Sequence, residues 1–224
     1  MSKSDISGQN KDKILNISEM FFSLQGEGIF SGLPTVFIRT MGCNLQCNWC
    51  DTKYAYSGGE KINIKEILAK LKNMKTKRVC ITGGEPLLQP PIYKLMKILI
   101  DKGYNLSIET NGSFDISKIP KKVSTAMDIK CPSSKESKKM NFKNLEILKK
   151  KDQCKFVIKD EKDYNYAKKI INTNKLISKT NVIFIPLEGI KAKKLVNLIL
   201  KDNLDVRFSL QLHKTIWGSK RRGV

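Results

Sequence analysis

Short apolar segments alternate with amphipathic segments along most of this chain, and this alternation restricts its fold more than any other feature. Residues 78–82 (RVCIT) and 106–110 (LSIET) are rich in strand-forming types and too short for helices, which predicts buried strands. Residues 63–74, and the segment opened by Pro90 and Pro91, place apolar residues at helical spacing. About six strand–helix units fit between residues 35 and 186, fewer than the eight of a closed barrel. The sequence therefore predicts an α/β protein with a partial β/α barrel or an open doubly wound sheet, whose ligands bind at the carboxyl ends of the strands.

The remaining elements follow from the same patterns. Further strands are predicted over residues 35–41, 123–129, 154–158, 182–186 and 206–212, and further helices over residues 163–174 and 190–200. Residues 1–13 are polar and predict a loose tail before a single domain over residues 14–224. The tail lacks the apolar centre of a signal peptide, and no apolar run reaches the roughly 20 residues of a membrane span, so a cytoplasmic location is expected.

The net charge of +21 raises the question of a nucleic-acid or acidic-lipid partner. The lysines are spread over predicted helix faces and loops, and aromatic residues do not interleave with them as in single-strand binders. This distribution favours a solvated basic surface. Neither nucleic acid nor a membrane is therefore expected as the main partner.

Three cysteines lie within eight positions directly after the predicted strand 35–41. Cys43, Cys47 and Cys50 have the spacing C-x3-C-x2-C, which lets one loop surround a metal centre. Three thiolates can bind three irons of a 4Fe–4S cluster and leave the fourth iron open, whereas an electron-transfer ferredoxin uses four cysteines. Structural zinc is the alternative, but it requires four ligands, and no fourth cysteine or histidine lies nearby in sequence. The pattern predicts a cluster whose open iron binds a cofactor or substrate.

The other three cysteines are dispersed, and a disulfide framework is not expected in a chain without a signal peptide. Cys80 and Cys154 lie in apolar segments and are predicted to be small core residues. Cys131 follows a predicted strand end, and a structural role is favoured for it too.

The cysteine segment resembles the signature of the radical S-adenosylmethionine superfamily. The resemblance implies a partial (β/α)6-type barrel in which S-adenosylmethionine chelates the open iron through its amino and carboxylate groups. Trp49, just before the third cysteine, would then lie beside the adenine, although an isolated Trp is more often a core residue. Residues 81–86 (ITGGEP) resemble the GGEP motif of the superfamily, in which Gly84 and Glu85 would contact the methionine part of the cofactor.

Polar or glycine-rich residues follow several other predicted strands, and the resemblance implies that they surround the cofactor. Each is weak evidence alone, but the carboxyl ends of parallel strands meet on one rim. These additional cofactor-binding candidates are Glu109, Asp128, Ile129, Lys130, Pro186, Leu187, Glu188 and Gly189.

Two further segments resemble the 7-carboxy-7-deazaguanine synthase family in particular. Residues 24–28 read LQGEG, and residues 211–217 read QLHKTIW. That family converts 6-carboxy-5,6,7,8-tetrahydropterin to 7-carboxy-7-deazaguanine, a step toward queuosine and archaeosine. The resemblance implies that a 5′-deoxyadenosyl radical removes hydrogen from C6 of the pterin. It also implies that the ring contracts with Mg²⁺ present, that ammonia is lost and that hydrogen returns to the cofactor.

Matching positions then assign the substrate pocket. Arg39 lies inside an apolar strand, where an unpaired charge is costly, and suits the substrate carboxylate. Thr52 would give a hydroxyl oxygen to Mg²⁺, with Asp51 behind it. His213 is the only histidine, and although a lone histidine is more often structural, its HK…W setting points to the substrate. The substrate-binding candidates are Leu24, Gln25, Gly26, Glu27, Arg39, Thr82, His213 and Val224.

The expected partners are the pterin, a flavodoxin- or ferredoxin-type electron donor and a second copy of the chain in a homodimer. Two other functions stay open at this point. A glycyl-radical enzyme activase shares the short cysteine spacing but acts on a partner protein. A basic RNA-binding protein with structural zinc would be colourless and would bind RNA with a steep salt dependence.

Overall fold

The computed structural model describes residues 13–187, 190–218 and 222–224. The strands are β1 (Ile14–Leu24), β2 (Pro34–Thr40), β3 (Glu60–Asn63), β4 (Arg78–Gly83), β5 (Asn105–Thr110), β6 (Ser124–Ile129), β7 (Gln153–Ile158), β8 (Asn181–Pro186) and β9 (Arg207–Phe208). The helices are α1 (Ile64–Lys72), α2 (Pro91–Asp101), α3 (Glu161–Asn174), α4 (Leu176–Lys179), α5 (Ala192–Lys201) and α6 (Leu212–Trp217).

Within these residues the strands form one nine-stranded sheet in the order β3–β1–β2–β4–β5–β6–β7–β8–β9. From β2 to β9 every neighbouring pair is parallel, whereas β1 pairs antiparallel with both β2 and β3. The six strands predicted between residues 35 and 186 correspond to β2 and β4–β8. The prediction of an α/β partial barrel is therefore confirmed.

Amphipathic helices cover this sheet and bury their apolar faces against it. Helix α1 buries Ile67 and Leu71, and helix α2 buries Leu95 and Leu99, because these residues recur at helical spacing. Asn63 caps α1 by accepting a hydrogen bond from the Lys65 amide at 2.9 Å. The three dispersed cysteines, Cys80, Cys131 and Cys154, are fully buried in the core, which confirms their structural assignment.

Three differences separate the predicted elements from the observed ones. Strands β1 and β3 were not predicted, and both lie on the antiparallel side of the sheet. Helix α3 begins at Glu161 because Asp160 caps it by accepting from the Asp163 amide at 2.9 Å. The predicted strand 206–212 was wrong over most of its length, since β9 ends at Phe208 and α6 begins at Leu212. The chain leaves the sheet there because the Leu212 amide donates to the Gly26 carbonyl at 2.9 Å.

Residues 1–12, most of the predicted tail, lie outside the described residues, and the division into a tail and a single domain stays a prediction. Among the helices of the described ranges, none has the length and hydropathy needed to cross a bilayer.

Candidate active site

A cavity of about 230 Å³ lies at the carboxyl ends of the parallel strands. The candidates that line it are Leu24, Gln25, Gly26, Glu27, Arg39, Cys43, Cys47, Trp49, Cys50, Thr52, Thr82, Gly84, Glu109, Asp128, Lys130, Leu187, His213 and Val224. Three other candidates, Glu85, Ile129 and Pro186, are not part of its lining. Glu188 and Gly189 were also predicted to bind the cofactor, and they lie outside the described residues.

The cysteine loop between β2 and β3 has no regular secondary structure where it carries the three thiols, so other segments hold it in position. The Gln46 amide donates to Glu136 Oε1 at 2.8 Å, and the Asn48 amide donates to the Ser134 carbonyl at 3.2 Å. Both acceptors come from the segment after β6. This segment therefore acts as a second layer behind the loop.

The GGE turn after β4 holds the start of the same loop. The Gly84 amide donates to the Thr40 carbonyl at 3.1 Å, and the Glu85 amide donates to the Gly42 carbonyl at 2.8 Å. A Cβ atom on Gly84 would overlap the Gly42 carbonyl and would lie 2.9 Å from the Cys43 Cβ atom. Only glycine allows this approach, which explains why a glycine pair follows β4.

Glu85 is fully buried beneath this turn and supports it instead of lining the cavity. Its carboxylate accepts hydrogen bonds from the Leu87 amide at 3.0 Å, the Asn111 amide at 2.7 Å and the Thr110 hydroxyl at 2.8 Å. Burial raises the pKa of Glu85 to about 7, against the opposing effect of these donors. The side chain joins the ends of β4 and β5.

The three clustered cysteines are free thiols that face the cavity. Cys47 packs with Leu45 and Met140, and Cys43 and Cys50 pack against the same group. Burial raises the pKa of Cys43 and raises the pKa of Cys47 to about 11, so binding to iron must release protons. Across residues 13–187, 190–218 and 222–224, no three Cys, His, Asp or Glu side chains are placed to hold a single metal ion. A 4Fe–4S cluster makes a different demand because each thiolate binds its own iron, and this donor set fits such a cluster with one open iron.

Trp49 forms a fixed wall next to the cysteines. Its Nε1–H donates to Ser133 Oγ at 3.2 Å, and the Ser133 hydroxyl donates to the fully buried Asp163. The Lys130 ammonium lies 5.6 Å from the centre of the indole ring. With its Nε1 edge bonded to Ser133 and Lys130 over the ring, the indole is fixed in position and presents a flat surface suited to stacking with an adenine.

The two sequence segments that suggested a particular family contact each other in the structure. The Leu212 amide bonds the Gly26 carbonyl, and a Cβ atom on Gly26 would lie 3.1 Å from the His213 Cγ atom. Gln211 Nε2 donates to Glu27 Oε1 at 2.6 Å. LQGEG and QLHK thus form one continuous wall of the cavity.

Lys155 on β7 joins three carboxylates in this wall. Its ammonium lies 3.0 Å from Glu27 Oε2, 3.3 Å from Asp128 Oδ1 and 3.9 Å from Glu109 Oε1. Burial alone would lower the pKa of Lys155, but Asp128, Glu109 and Glu27 outweigh it and raise this pKa well above its ordinary value. In turn, Lys155 holds the pKa of both Glu27 and Asp128 below their usual values against the effect of burial.

Glu109 also organises the neighbouring polar side chains. Its carboxylate accepts hydrogen bonds from Gln25 Nε2 at 3.3 Å and from the Thr82 hydroxyl at 3.1 Å. The Glu27 amide donates to Gln25 Oε1 at 3.3 Å. These contacts link the loop after β1 to the ends of β4 and β5.

Arg39 on β2 also lines the cavity, and aromatic rings surround it. Its Nε–H donates to Glu19 Oε1 at 2.7 Å, and the Tyr54 hydroxyl donates to the same oxygen at 2.7 Å. The guanidinium lies 5.6 Å from the centre of the Phe21 ring. The Tyr54 ring is in turn covered by the Arg222 guanidinium, which lies 4.1 Å from the centre of that ring. Arg39 is therefore a paired, half-buried cation at the cavity edge and not a loose surface residue.

Thr52 lies in a short chain of polar contacts. Its hydroxyl donates to Asp51 Oδ1 at 2.9 Å, and Asp51 Oδ2 pairs with the Lys214 ammonium at 2.8 Å. Burial alone would raise the pKa of Asp51, but Lys214 outweighs it and lowers this pKa. Because the hydroxyl proton points to Asp51, the oxygen lone pairs of Thr52 remain to coordinate a hard cation.

Several residues that line this cavity were not predicted to do so. Lys155 and Tyr54 were not singled out from the sequence, and Gln211 and Lys214 were given no role of their own although they belong to the QLHKTIW segment. One signal for Lys155 was present, since it is the single charge in the apolar segment CKFVI. The others owe their place to contacts that are distant in sequence.

Comparisons with known proteins agree with this architecture. Residues 37–133 match the family model described as the radical SAM superfamily. The chain is 43% identical over 203 residues to the 7-carboxy-7-deazaguanine synthase of Methanospirillum hungatei, covering 90% of this chain and 85% of that protein. It is 41% identical to the 7-carboxy-7-deazaguanine synthase of Clostridium acetobutylicum, covering 93% and 98% of the two chains. Among solved structures, QueE from Escherichia coli superposes with a TM-score of 0.70 at 22% identity, covering 95% of this chain and 100% of that one.

Proposed function

Because the chain belongs to the 7-carboxy-7-deazaguanine synthase family of radical S-adenosylmethionine enzymes, we propose that it contracts 6-carboxy-5,6,7,8-tetrahydropterin to 7-carboxy-7-deazaguanine with loss of ammonia. One observation supports this reaction most strongly. The three thiols and the joined LQGEG–QLHK wall face the same cavity, so a radical source and a polar pocket share one space.

The cluster and S-adenosylmethionine, when bound, supply the 5′-deoxyadenosyl radical that starts the reaction. Cys43, Cys47 and Cys50 would hold the cluster. Trp49 would flank the adenine, and Gly84, which lines the cavity beside the cysteine loop, would contact the methionine part of the cofactor. Once a radical exists, the residues of this chain need only orient the pterin and exclude water.

Arg39 would bind the substrate carboxylate. Its Nε–H already bonds Glu19, and the Nη edge of the fork has the geometry that a carboxylate takes. The loop after β1 would offer the amide of Gln25 and the carboxylate of Glu27 to the donors and acceptors of the pterin ring.

Thr52 would give its hydroxyl oxygen to Mg²⁺, with Asp51 and Lys214 orienting that hydroxyl. A single protein ligand suits Mg²⁺, which keeps several waters and shares ligands with its substrate. We expect a flavodoxin- or ferredoxin-type protein to supply electrons and the chain to act as a homodimer.

An anaerobic turnover experiment tests the function. The protein is reconstituted with iron and sulfide, then given reductant, S-adenosylmethionine, Mg²⁺ and 6-carboxytetrahydropterin. Formation of 7-carboxy-7-deazaguanine, detected by mass, is the expected result. Formation of 5′-deoxyadenosine without that product would favour an activase that acts on a protein partner. A colourless protein that assembles no cluster would contradict the radical chemistry altogether.

A further inference from the structure

Lys155 is the most deeply buried charged group of the cavity wall. Its side chain is 3% exposed, although it carries a full positive charge. It projects from β7, in which Phe156 and Ile158 are fully buried in the core. A buried ammonium is costly unless carboxylates surround it, and here three do so.

These three carboxylates come from separate parts of the fold. Glu27 follows β1, Glu109 belongs to β5 and Asp128 belongs to β6. Without a cation between them, three carboxylates this close together would repel one another. The ammonium of Lys155 lies against all three and offsets this repulsion, with Lys130 as a second cation beside Asp128.

Two of the three carboxylates also contact different groups of the cavity lining. Glu27 contacts Gln211 and belongs to the LQGEG–QLHK wall proposed for the pterin. Asp128 pairs with Lys130 at 3.4 Å, and Lys130 lies over Trp49 on the side proposed for the cofactor.

Asp128 retains an acceptor that the described residues do not fully satisfy. Its Oδ1 atom is buried and forms an ion pair with Lys155 at 3.3 Å but no well-aligned hydrogen bond. A buried acceptor in this state is costly unless a ligand donates to it. A hydroxyl or amino group of a bound molecule would meet this need.

We propose that Lys155 is a positioning residue that holds Glu27 toward the substrate and Asp128 toward the cofactor, so that one buried ammonium sets the geometry of both binding sides. This inference rests on the proposed function, because it takes the two ligands from it. In this proposal Lys155 acts on both ligands through these carboxylates.

The test measures two dissociation constants on the reconstituted, unreduced holoenzyme under anaerobic conditions. One is for S-adenosylmethionine alone, and the other is for 6-carboxytetrahydropterin in the presence of S-adenosylmethionine. Removing one partner from a buried charge group leaves the others uncompensated, so Lys155→Met is expected to weaken both affinities by at least about tenfold. The iron content should equal that of the unmodified enzyme, because the cysteine loop does not contact Lys155.

Lys168→Met is the matched control. Lys168 also pairs with a carboxylate, Asp202, at 2.6 Å, but it lies on α3 outside the cavity. This variant should leave both dissociation constants unchanged.

Two outcomes would overturn the inference. If Lys155→Met lowers the melting temperature but leaves both affinities unchanged, the lysine is only structural. If it weakens the binding of one ligand alone, the lysine does not serve both sides. If the unmodified enzyme binds S-adenosylmethionine but not the pterin, the proposed function fails instead, which is a separate result.

A second variant keeps the test decisive should Lys155→Met not fold. Lys155→Arg retains the positive charge but moves it and spreads it over a planar fork, so it is expected to fold and to weaken both affinities by about threefold. Unchanged affinities for both ligands in Lys155→Arg would contradict a role that depends on the position of this charge.

Discussion

The cysteine loop and the charged wall around Lys155 face the same cavity but are held in place by different interactions. The loop is fixed through its backbone, with the Gln46 and Asn48 amides bonded to the segment that contains Ser134 and Glu136. The charged wall is fixed through side chains, above all by the ammonium of Lys155 among its carboxylates. The geometry of the loop therefore depends on backbone hydrogen bonds, and the geometry of the charged wall depends on ion pairs between side chains.

This difference predicts how each region should fail. A change in the loop should disturb the cluster and, with it, every later step. A change in the charged wall, or at Arg39, should alter ligand affinity and leave the cluster intact. A loop variant that alters only ligand affinity, or a variant of the charged wall that loses the cluster, would contradict this difference between the two regions.

The largest effect is expected from Cys47→Ala. Loss of one thiolate should prevent assembly of the cluster, so the brown colour, the cleavage of S-adenosylmethionine and product formation should all disappear. Iron content and 5′-deoxyadenosine measure this directly. The matched control is Cys154→Ala, which removes a buried core thiol and should lower stability by about 1 kcal/mol while the iron content stays normal.

Arg39→Ala should produce the next largest effect. Loss of a paired cation at a carboxylate site is expected to weaken pterin binding by about tenfold to a hundredfold, with the cluster and reductive cleavage of S-adenosylmethionine intact. Equilibrium binding and 5′-deoxyadenosine formation without substrate provide the two readouts. Arg207→Ala, on the exposed edge strand β9, serves as the control. An unchanged pterin affinity in Arg39→Ala would refute this assignment.

Thr52→Ala should have a smaller effect that is confined to Mg²⁺. Removing the only proposed protein ligand is expected to raise the Mg²⁺ concentration needed for half-maximal product formation by about tenfold. Thr52→Ser keeps the hydroxyl and should restore the response. Equal Mg²⁺ requirements in the Ala and Ser variants would show that the hydroxyl is not the ligand.

Glu136→Gln should have the smallest effect of the series. It retains one carbonyl oxygen for the Gln46 amide but loses the ion pair with Lys139, so the free energy of unfolding should fall by about 1 kcal/mol or less. Because a neutral amide oxygen accepts the Gln46 hydrogen bond more weakly than a carboxylate does, the loop is held less firmly and the cluster should also lose iron faster in air. Urea unfolding and the decay of cluster absorbance measure the two effects. Weaker pterin binding with a normally stable cluster would contradict the division between the two regions.

Much of the fold could be predicted because local patterns specify it. Strands β4–β8 and helices α1 and α2 have the periodicity and turn residues that the structure then shows. Strand β1 was missed because only Leu15 and Ile17 are buried in it and the rest of the strand has no regular alternation of buried and exposed residues. Strand β9 is short because Leu212 bonds the distant Gly26. Such long-range contacts leave no local signal.

Arg39 and Lys155 show the same limit within the site. Each is the single charge in an apolar strand, where an unpaired charge is costly. Arg39 lies close to the cysteine motif in sequence, whereas no recognised motif surrounds Lys155, so only Arg39 was predicted as a site residue. The support of the cysteine loop by Glu136 could not be predicted at all, since it joins residues 90 positions apart.

The most direct measurement of the central claim counts two products in one anaerobic reaction of the unmodified enzyme. If the cofactor is regenerated while the charged wall positions the pterin, 7-carboxy-7-deazaguanine should exceed 5′-deoxyadenosine by many turnovers. If 5′-deoxyadenosine accumulates in equal or greater amount, or if no 7-carboxy-7-deazaguanine forms from 6-carboxytetrahydropterin, the account is contradicted.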